Sequence, residues 1–336
     1  MRELDIGKSD GRGSWAPSKP VSYGPLFASP WSLKAVLKWV FGYPGFLVPW
    51  TIPYALLALA IWQWATPSLE TMTTFAPLWM LFILARNWVL AFLVFGGFHL
   101  WLYRWKKQGT EFKYNKQWPK EQSSLFAFGN QVYDNMFYTL ASGVPVWTAY
   151  ECLMLWAYAN GMAPMITFDS NPVWFLALFL IVPLIHEVSF YFAHRLVHFP
   201  LLYRWAHHVH HRNISPGPWS GLSMHPIEHF FYLMPIAIFF LVPGHPIHMI
   251  NLASRLGVAP AQGHTGFDQI DLGDQKSFSV SYYAHYLHHK YFEVNYSDGM
   301  VPLDKWFGSF HDGTPEAHQA MIERRKRLGD KLAKNG

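Results

Sequence analysis

Charged residues are scarce in this chain. Asp, Glu, Lys and Arg make up 14% of its 336 residues, against about 25% in ordinary soluble domains. Too few charges are present to cover a water-facing surface, which argues against a soluble body of this size. Cysteine is nearly absent. Cys152 stands alone, so no internal disulfide can form. A concentrated basic face is also lacking: the formal net charge is +5, and the Lys and Arg residues fall between apolar runs. That pattern argues against a nucleic-acid partner. The opening segment carries no apolar core behind a basic start and does not read as a cleaved signal peptide. No repeat of roughly 20 to 50 residues is visible.

Apolar and aromatic residues are plentiful instead, at 51% and 18% of the chain. A helix needs about 20 apolar residues to cross a bilayer core. Four segments approach that length: Gly45 to Ala65, Phe75 to Tyr103, Met136 to Tyr158 and Val173 to Ala193. Phe230 to Pro243 is equally apolar but too short to cross and return, so a re-entrant or interfacial hairpin over 230–250 is expected. The loops between spans alternate in charge. Residues 66–74 and 160–172 contain no Lys or Arg, whereas 104–120 holds Arg104, Lys106, Lys107, Lys113, Lys116 and Lys120. The positive-inside rule then puts the polar tail 1–44, the basic connection and everything after Ala193 on the cytoplasmic side. The expected fold is an all-α integral membrane protein with about four spans in 45–193 and a cytoplasmic helical cap in 194–310. A basic amphipathic tail, 311–336, closes the chain. Within the second span, Arg86 is costly in lipid; it reads equally as a partner for Glu151 or as a side chain reaching the interface.

Histidine is distributed very unevenly. Fifteen of 18 lie between His186 and His289, in three tight groups: His194 and His198; His207, His210 and His211; His285, His288 and His289. Residues at i, i+3 and i+4 share a helix face, so each group points its imidazoles one way. Eight converging nitrogens suffice for two metal ions, and neutral imidazole suits iron, zinc and copper. Glu187 and Tyr191 share the His194 face, since seven residues make nearly two turns. Ligating histidines usually give their second N–H to a carboxylate, and Glu187, Glu228, Asp268 and Asp298 are the natural acceptors. Pro226 suits a first helical turn, which makes His225 a candidate cap. His229 reads as structural or liganding, and His208, His245, His248, His311 and His318 as structural.

These motifs resemble the fatty acid hydroxylase/sterol desaturase superfamily. Its order of motifs is met by Glu187 before His194-Arg195, then His207, His210 and His211, His225-Pro226-Ile227-Glu228 and His264-Thr265-Gly266. His285, His288 and His289, Asn295-Tyr296 and Asp304-Lys305-Trp306-Phe307-Gly308 complete it. The chain departs from the family in having Glu at 187 rather than Asp, His208 rather than Lys, and Ser297-Asp298 where Gly is common. The resemblance covers residues 173 to 308 and implies a ninth ligand, His264. It also implies two iron ions, whose nitrogen ligands zinc would accept equally, and O₂ as co-substrate. On this reading Glu187 and Asp268 orient ligands.

The implied activity is hydroxylation or desaturation of a lipid, with the closing residues 288–296 looking most like sterol desaturases. The first reading is a sterol or related polycyclic lipid. The second is the same chemistry on a fatty acyl, alkyl or carotenoid chain. A metal transporter is a distant third, because the spans are nearly free of histidine. Neither a cytochrome b5 His-Pro-Gly-Gly pattern nor a Gly-rich dinucleotide motif is visible. An external electron donor is therefore expected (a cytochrome b5-like protein, a ferredoxin or a reductase). The site would face the cytoplasm, from the endoplasmic reticulum of a eukaryote or the inner membrane of a bacterium.

Overall fold

The computed structural model describes residues 7–9, 14–274 and 276–335. A short antiparallel pair, β1 (Gly7–Ser9) and β2 (Trp15–Pro17), opens the chain, followed by α1 (Leu33–Phe41), capped by Ser32. Three helices are long and apolar enough to cross a membrane: α2 (Leu47–Trp64), α3 (Pro77–Arg104) and α6 (Pro172–Val197). Only 28% of each is buried inside the protein, so their apolar surfaces face outward, as a bilayer requires. Between α3 and α6 lie α4 (Gln131–Tyr138) and α5 (Val144–Ala159). Four spans are expected from the sequence, and three are found among the described residues. The fourth candidate, Met136 to Tyr158, is helical but lies mostly inside the bundle, burying Trp147, Thr148, Glu151 and Leu155.

Arg86 resolves as a partner of Glu151. Its Nη2 donates to Glu151 Oε1 at 2.5 Å, its Nη1 donates to the Ala65 carbonyl, and Asn87 Nδ2 donates to Glu151 Oε2. The pair is buried and ties α3 to α5.

Beyond α6 come α7 (Pro200–Leu202), a π-helical turn over Tyr203–His207, and α8 (His208–His211). The expected hairpin exists but is longer and deeper than 230–250. Its first limb is α9 (Pro226–Leu233) continued by a 3₁₀ stretch, Met234–Phe240; its second is α10 (Pro246–Gly263). Eight α residues at about 1.5 Å and seven 3₁₀ residues at about 2.0 Å reach roughly 26 Å, which matches the 18-residue α10. The tighter helix lets a short apolar run traverse the bundle. Accordingly the hairpin's turn sits at the far end: Gly244 N donates to Pro164 O, and Trp174 Nε1 donates to Pro243 O. The Lys/Arg-free loops gather there, where Asn160 Nδ2 donates to Thr73 O.

The opposite end holds β3 (Gln269–Gly273), β4 (Lys276–Ser279), α11 (Tyr283–Tyr291), α12 (Leu303–Trp306) and α13 (Pro315–Asn335). The basic connection after α3 is tied to it by Tyr114 N donating to Gly266 O. Gly266 has φ +73, and a Cβ there would lie 2.9 Å from the Tyr103 hydroxyl, so only glycine fits this turn. The polar opening segment docks here too, with Trp15 N donating to Lys113 O and Val21 N to Asp312 O.

Candidate metal centre

Five elements meet at one place. The last turn of α6 carries His194, with His198 just beyond it. The π-turn carries His207, and α8 carries His210 and His211. His264 caps the C-terminus of α10, and α11 carries His285, His288 and His289. The sequence expectation for these nine residues is therefore a single neighbourhood, and the structure brings all nine together.

They form two groups whose nitrogens lie within 4.8 Å of one another. One is His194, His198, His207, His211 and His288; the other is His210, His264, His285 and His289. The triplets do not act as undivided faces. In each, the i, i+4 pair goes to one group, His207 with His211 and His285 with His289. The middle histidine, His210 or His288, crosses to the other. A residue at i+3 is rotated about 60° from one at i, enough to address a neighbouring centre.

The hydrogen bonds fix which nitrogen each ring offers. His194 Nδ1–H donates to Tyr296 O at 2.9 Å, His288 Nδ1–H to Val294 O at 2.7 Å, and His264 Nδ1–H to Pro260 O at 2.9 Å. A carbonyl only accepts, so these rings must carry their proton on Nδ1 and present Nε2 as a lone pair. His207 Nδ1–H donates to Glu228 Oε1 at 2.6 Å. The Nε2 atoms then converge: His198 lies 2.9 Å from His207 and 3.1 Å from both His211 and His288. His264 lies 3.0 Å from His285, 3.1 Å from His289 and 3.3 Å from His210.

Burial pushes His198, His207, His210, His211, His285, His288 and His289 below the ordinary imidazole range, helped by their mutual repulsion, and His264 down to about 4. Neutral rings with converging lone pairs repel unless a cation lies among them. An all-nitrogen donor set of this kind fits iron, copper or zinc.

Of the acidic residues expected to hold ligating rings, Glu228 does so, while Glu187 and Asp268 are placed elsewhere. Glu187 does not orient a histidine. Its Oε1 accepts from the backbone amides of Gly299 and Met300 at 2.9 Å and Val301 at 3.3 Å, because seven residues of helix carry it down from the His194 level to the 299–301 loop. Asp268 is likewise displaced: Oδ1 accepts from the Tyr114 hydroxyl at 2.8 Å, and Tyr114 stacks on Tyr286 of α11. Glu228 takes the role on His207. His225 caps α9 by accepting from Ile227 N, and His229 is structural, bonded to Ser142 Oγ and the Leu222 carbonyl.

Sequence reasoning assigns no role to three groups that matter. The carbonyls of Val294 and Tyr296 hold His288 and His194, and any residue type could supply them. Asp304 shapes that loop by accepting from the amides of Tyr296 and Ser297 and from the hydroxyls of Ser297 and Ser309. Its place in the Asp304–Gly308 motif was the available signal. A cleft leads from the two groups, lined by Phe190, Met224, Tyr232, Ala259, Gly263 and Tyr282 among others. Gly221 also lines it; a Cβ there would lie 2.3 Å from the Pro260 carbonyl. Pro260 itself lacks an N–H, which frees the Leu256 carbonyl, and Tyr232 donates its hydroxyl to that oxygen at 2.9 Å.

Residues 179–309, the segment that holds all nine histidines, match the family model for fatty acid hydroxylase. That segment is similar to the fatty acid hydroxylase/sterol desaturase superfamily. It is similar to Delta(7)-sterol 5(6)-desaturase ERG3B of Gibberella zeae, 29% identical over 163 residues, 47% of this chain and 50% of that protein. It is similar to the Aspergillus fumigatus protein erg3C of the same name, 28% identical over 48% of this chain and 58% of the relative. Human fatty acid hydroxylase domain-containing protein 2 is 35% identical over 96 residues, 28% of this chain and 29% of the relative. The chain thus spans about half the length of the sterol desaturases it matches. No solved structure matches it.

Proposed function

We propose that this chain is a membrane non-haem di-iron oxygenase of the fatty acid hydroxylase/sterol desaturase superfamily that hydroxylates or desaturates a lipid, foremost a sterol or related polycyclic lipid. The observation that carries the reading is the pair of adjacent Nε2 groups, five nitrogens and four, along a largely apolar cleft. His194, His198, His207, His211 and His288 would hold one iron, and His210, His264, His285 and His289 the other. Bound there, the two irons would supply the O₂-dependent oxidation of an unactivated C–H bond.

The chain's own residues provide the rest. Carbonyls 260, 294 and 296 and the Glu228 carboxylate keep the Nδ1 protons, which leaves Nε2 free for metal. Phe190 stacks on His194 with centroids 4.9 Å apart and touches Tyr232, walling the histidines from water on the cleft side. The outward apolar faces of α2, α3 and α6 suit a lipid supplied from the bilayer.

The sterol reading rests on the names of the sterol 5(6)-desaturases this chain resembles. The fatty acid hydroxylase relatives support the same chemistry on an acyl chain as the second reading. Electrons would come from an external donor of cytochrome b5, ferredoxin or reductase type. The basic connection lies at the histidine end and the Lys/Arg-free loops at the other, which supports a cytoplasmic site. A transporter would carry its ligands along a path through the spans; here they sit at helix ends.

The test is iron content and lipid oxidation together. Purified protein is expected to bind about two irons per chain, and cells expressing it should accumulate a lipid altered by one oxygen or two hydrogens. Protein that binds iron only through scattered sites, or lipid extracts unchanged by the gene under air, would overturn the proposal.

A further inference from the structure

Helix α10 presents a stripe at i, i+4 spacing: Asn251, Arg255, Ala259 and Gly263. Its last two members line the cleft beside the histidines. The stripe continues away from them into the protein, and there it turns polar. Arg255 is 6% exposed, and its Nε and Nη2 are buried without a hydrogen-bond partner. Asn251 is fully buried, and both atoms of its amide lack partners. Among the described residues no carboxylate pairs with Arg255; its guanidinium lies over the Tyr54 ring at 4.8 Å. Tyr282, which lines the cleft, is pushed up by burial while the Arg255 charge pulls its hydroxyl the other way.

A guanidinium keeps its proton in any protein setting, and a buried charge is costly unless paired and hydrogen-bonded. A ring face answers the charge, but neither Nε nor Nη2 has a hydrogen-bond acceptor. Asn251 adds a donor and an acceptor one turn away. This grouping is matched to an oxygen atom, and it lies one and two helical turns beyond Ala259 of the cleft wall.

We propose that Arg255 and Asn251 bind the oxygen-bearing polar end of the lipid, a hydroxyl or a carboxylate, and thereby fix which carbon reaches the histidines. The inference rests on the lipid-oxidising reading above. Nine residues separate Arg255 from His264, about 13 Å of helix axis, so a lipid pinned at its polar end is held in register along the cleft. Without the pin it slides.

Binding is read on metal-free protein in nanodiscs, so that activity is not needed. The probes are tritiated cholesterol and tritiated octadecanoic acid, each competed by its oxygen-free counterpart, cholest-5-ene or octadecane. Wild type is expected to prefer the oxygenated member of one pair by at least 10-fold; the hydroxyl pair would identify a sterol-like ligand and the acid pair a fatty acid. Arg255→Met should abolish that preference, Arg255→Lys should retain part of it, and Asn251→Ala should weaken it several-fold. Thermal unfolding and iron uptake of each variant show whether it folds. If Arg255→Met does not, the Lys and Asn251 variants decide the matter. No preference in wild type for either pair, or a preference untouched in the folded variants, overturns the anchor. Iron-dependent turnover of the wild type, assayed separately, reports on the proposed function alone.

Discussion

His207 donates its Nδ1–H to Glu228 Oε1 across 2.6 Å, with both side chains buried. Among the described residues it is the one member of the nine whose ring is held by a carboxylate. A carboxylate acceptor raises the basicity of the ring more than a carbonyl does. Glu228→Gln is therefore expected to fold normally and lose metal affinity by about 10- to 100-fold. Iron retained after dialysis against a graded chelator series measures this, and retention equal to wild type would show that the pair is only structural.

Asp304 makes the second prediction. It accepts four hydrogen bonds from residues 296, 297 and 309, and the Tyr296 carbonyl that it positions holds His194. Asp304→Asn turns one acceptor into a donor facing donors. The loss of two bonds at about 1 kcal/mol each, plus the clash, should lower stability by about 2–4 kcal/mol and loosen one group of five. Thermal unfolding of iron-loaded protein would fall by several degrees, and an unchanged midpoint would refute the role.

Glu187 separates two expectations cleanly. If it oriented a ligand, Glu187→Gln would release metal. Since its oxygen instead accepts three amides of the 299–301 loop, glutamine keeps the needed acceptor. Glu187→Gln should retain iron within about twofold of wild type, whereas Glu187→Ala should destabilise the protein by about 1–3 kcal/mol through unsatisfied buried amides. Iron lost equally in both variants would restore the ligand-orienting role.

These cases show what was legible in the sequence. Eight of the histidines are legible because three groups at i, i+3 and i+4 spacing fall within about a hundred residues, and His264 is legible only through the resemblance of the motif order to a family. The division of the nine into five and four is not legible, since it depends on how α8 and α11 face each other. The partners of Glu187 are not legible because a helix face gives direction but not which loop arrives from 112 to 114 residues away, and Asp268, outside any helix, meets Tyr114 from 154 residues away. The full depth of the re-entrant hairpin is not legible from an α-helical rise, because the 3₁₀ stretch of Met234–Phe240 supplies the extra length. The Met136–Tyr158 segment had a span's composition, yet its polar members Thr148 and Glu151 face Arg86 and Asn87 inside the bundle.

That buried pair gives a fourth prediction. Removing one partner of a buried ion pair typically costs about 3–5 kcal/mol, while replacing both with apolar residues is often tolerated. Glu151→Leu or Arg86→Met alone should sharply reduce the yield of folded protein. The double variant Arg86→Met/Glu151→Leu should recover most of it, with normal iron per folded chain, since Arg86 lies in the half of α3 remote from the histidines and reaches the Ala65 carbonyl at the end of α2. Iron loss in the recovered double variant would mean the pair serves the metal centre.

The topology is tested by labelling. Ser68 and Ser170 lie in exposed positions of the Lys/Arg-free loops, while Asp274 and Lys276 are exposed near the histidine end. Cys152 is buried, so a Cys152→Ser background should leave single introduced cysteines as the only targets. In intact cells or sealed vesicles, a membrane-impermeant maleimide is expected to reach cysteines at 68 and 170 from the side opposite that of 274 and 276. The hairpin sharpens this test. Its turn at Gly244 bonds to Pro164, and both limbs return to the histidine end, so a cysteine at exposed Leu241 should label with 170 or be shielded by lipid, never with 276. Labelling of 241 together with 276 would mean that the hairpin stops short of the far side. Labelling of 68 and 276 from one side would reject the whole orientation, because the fold places those positions at opposite ends of helices long enough to cross the bilayer.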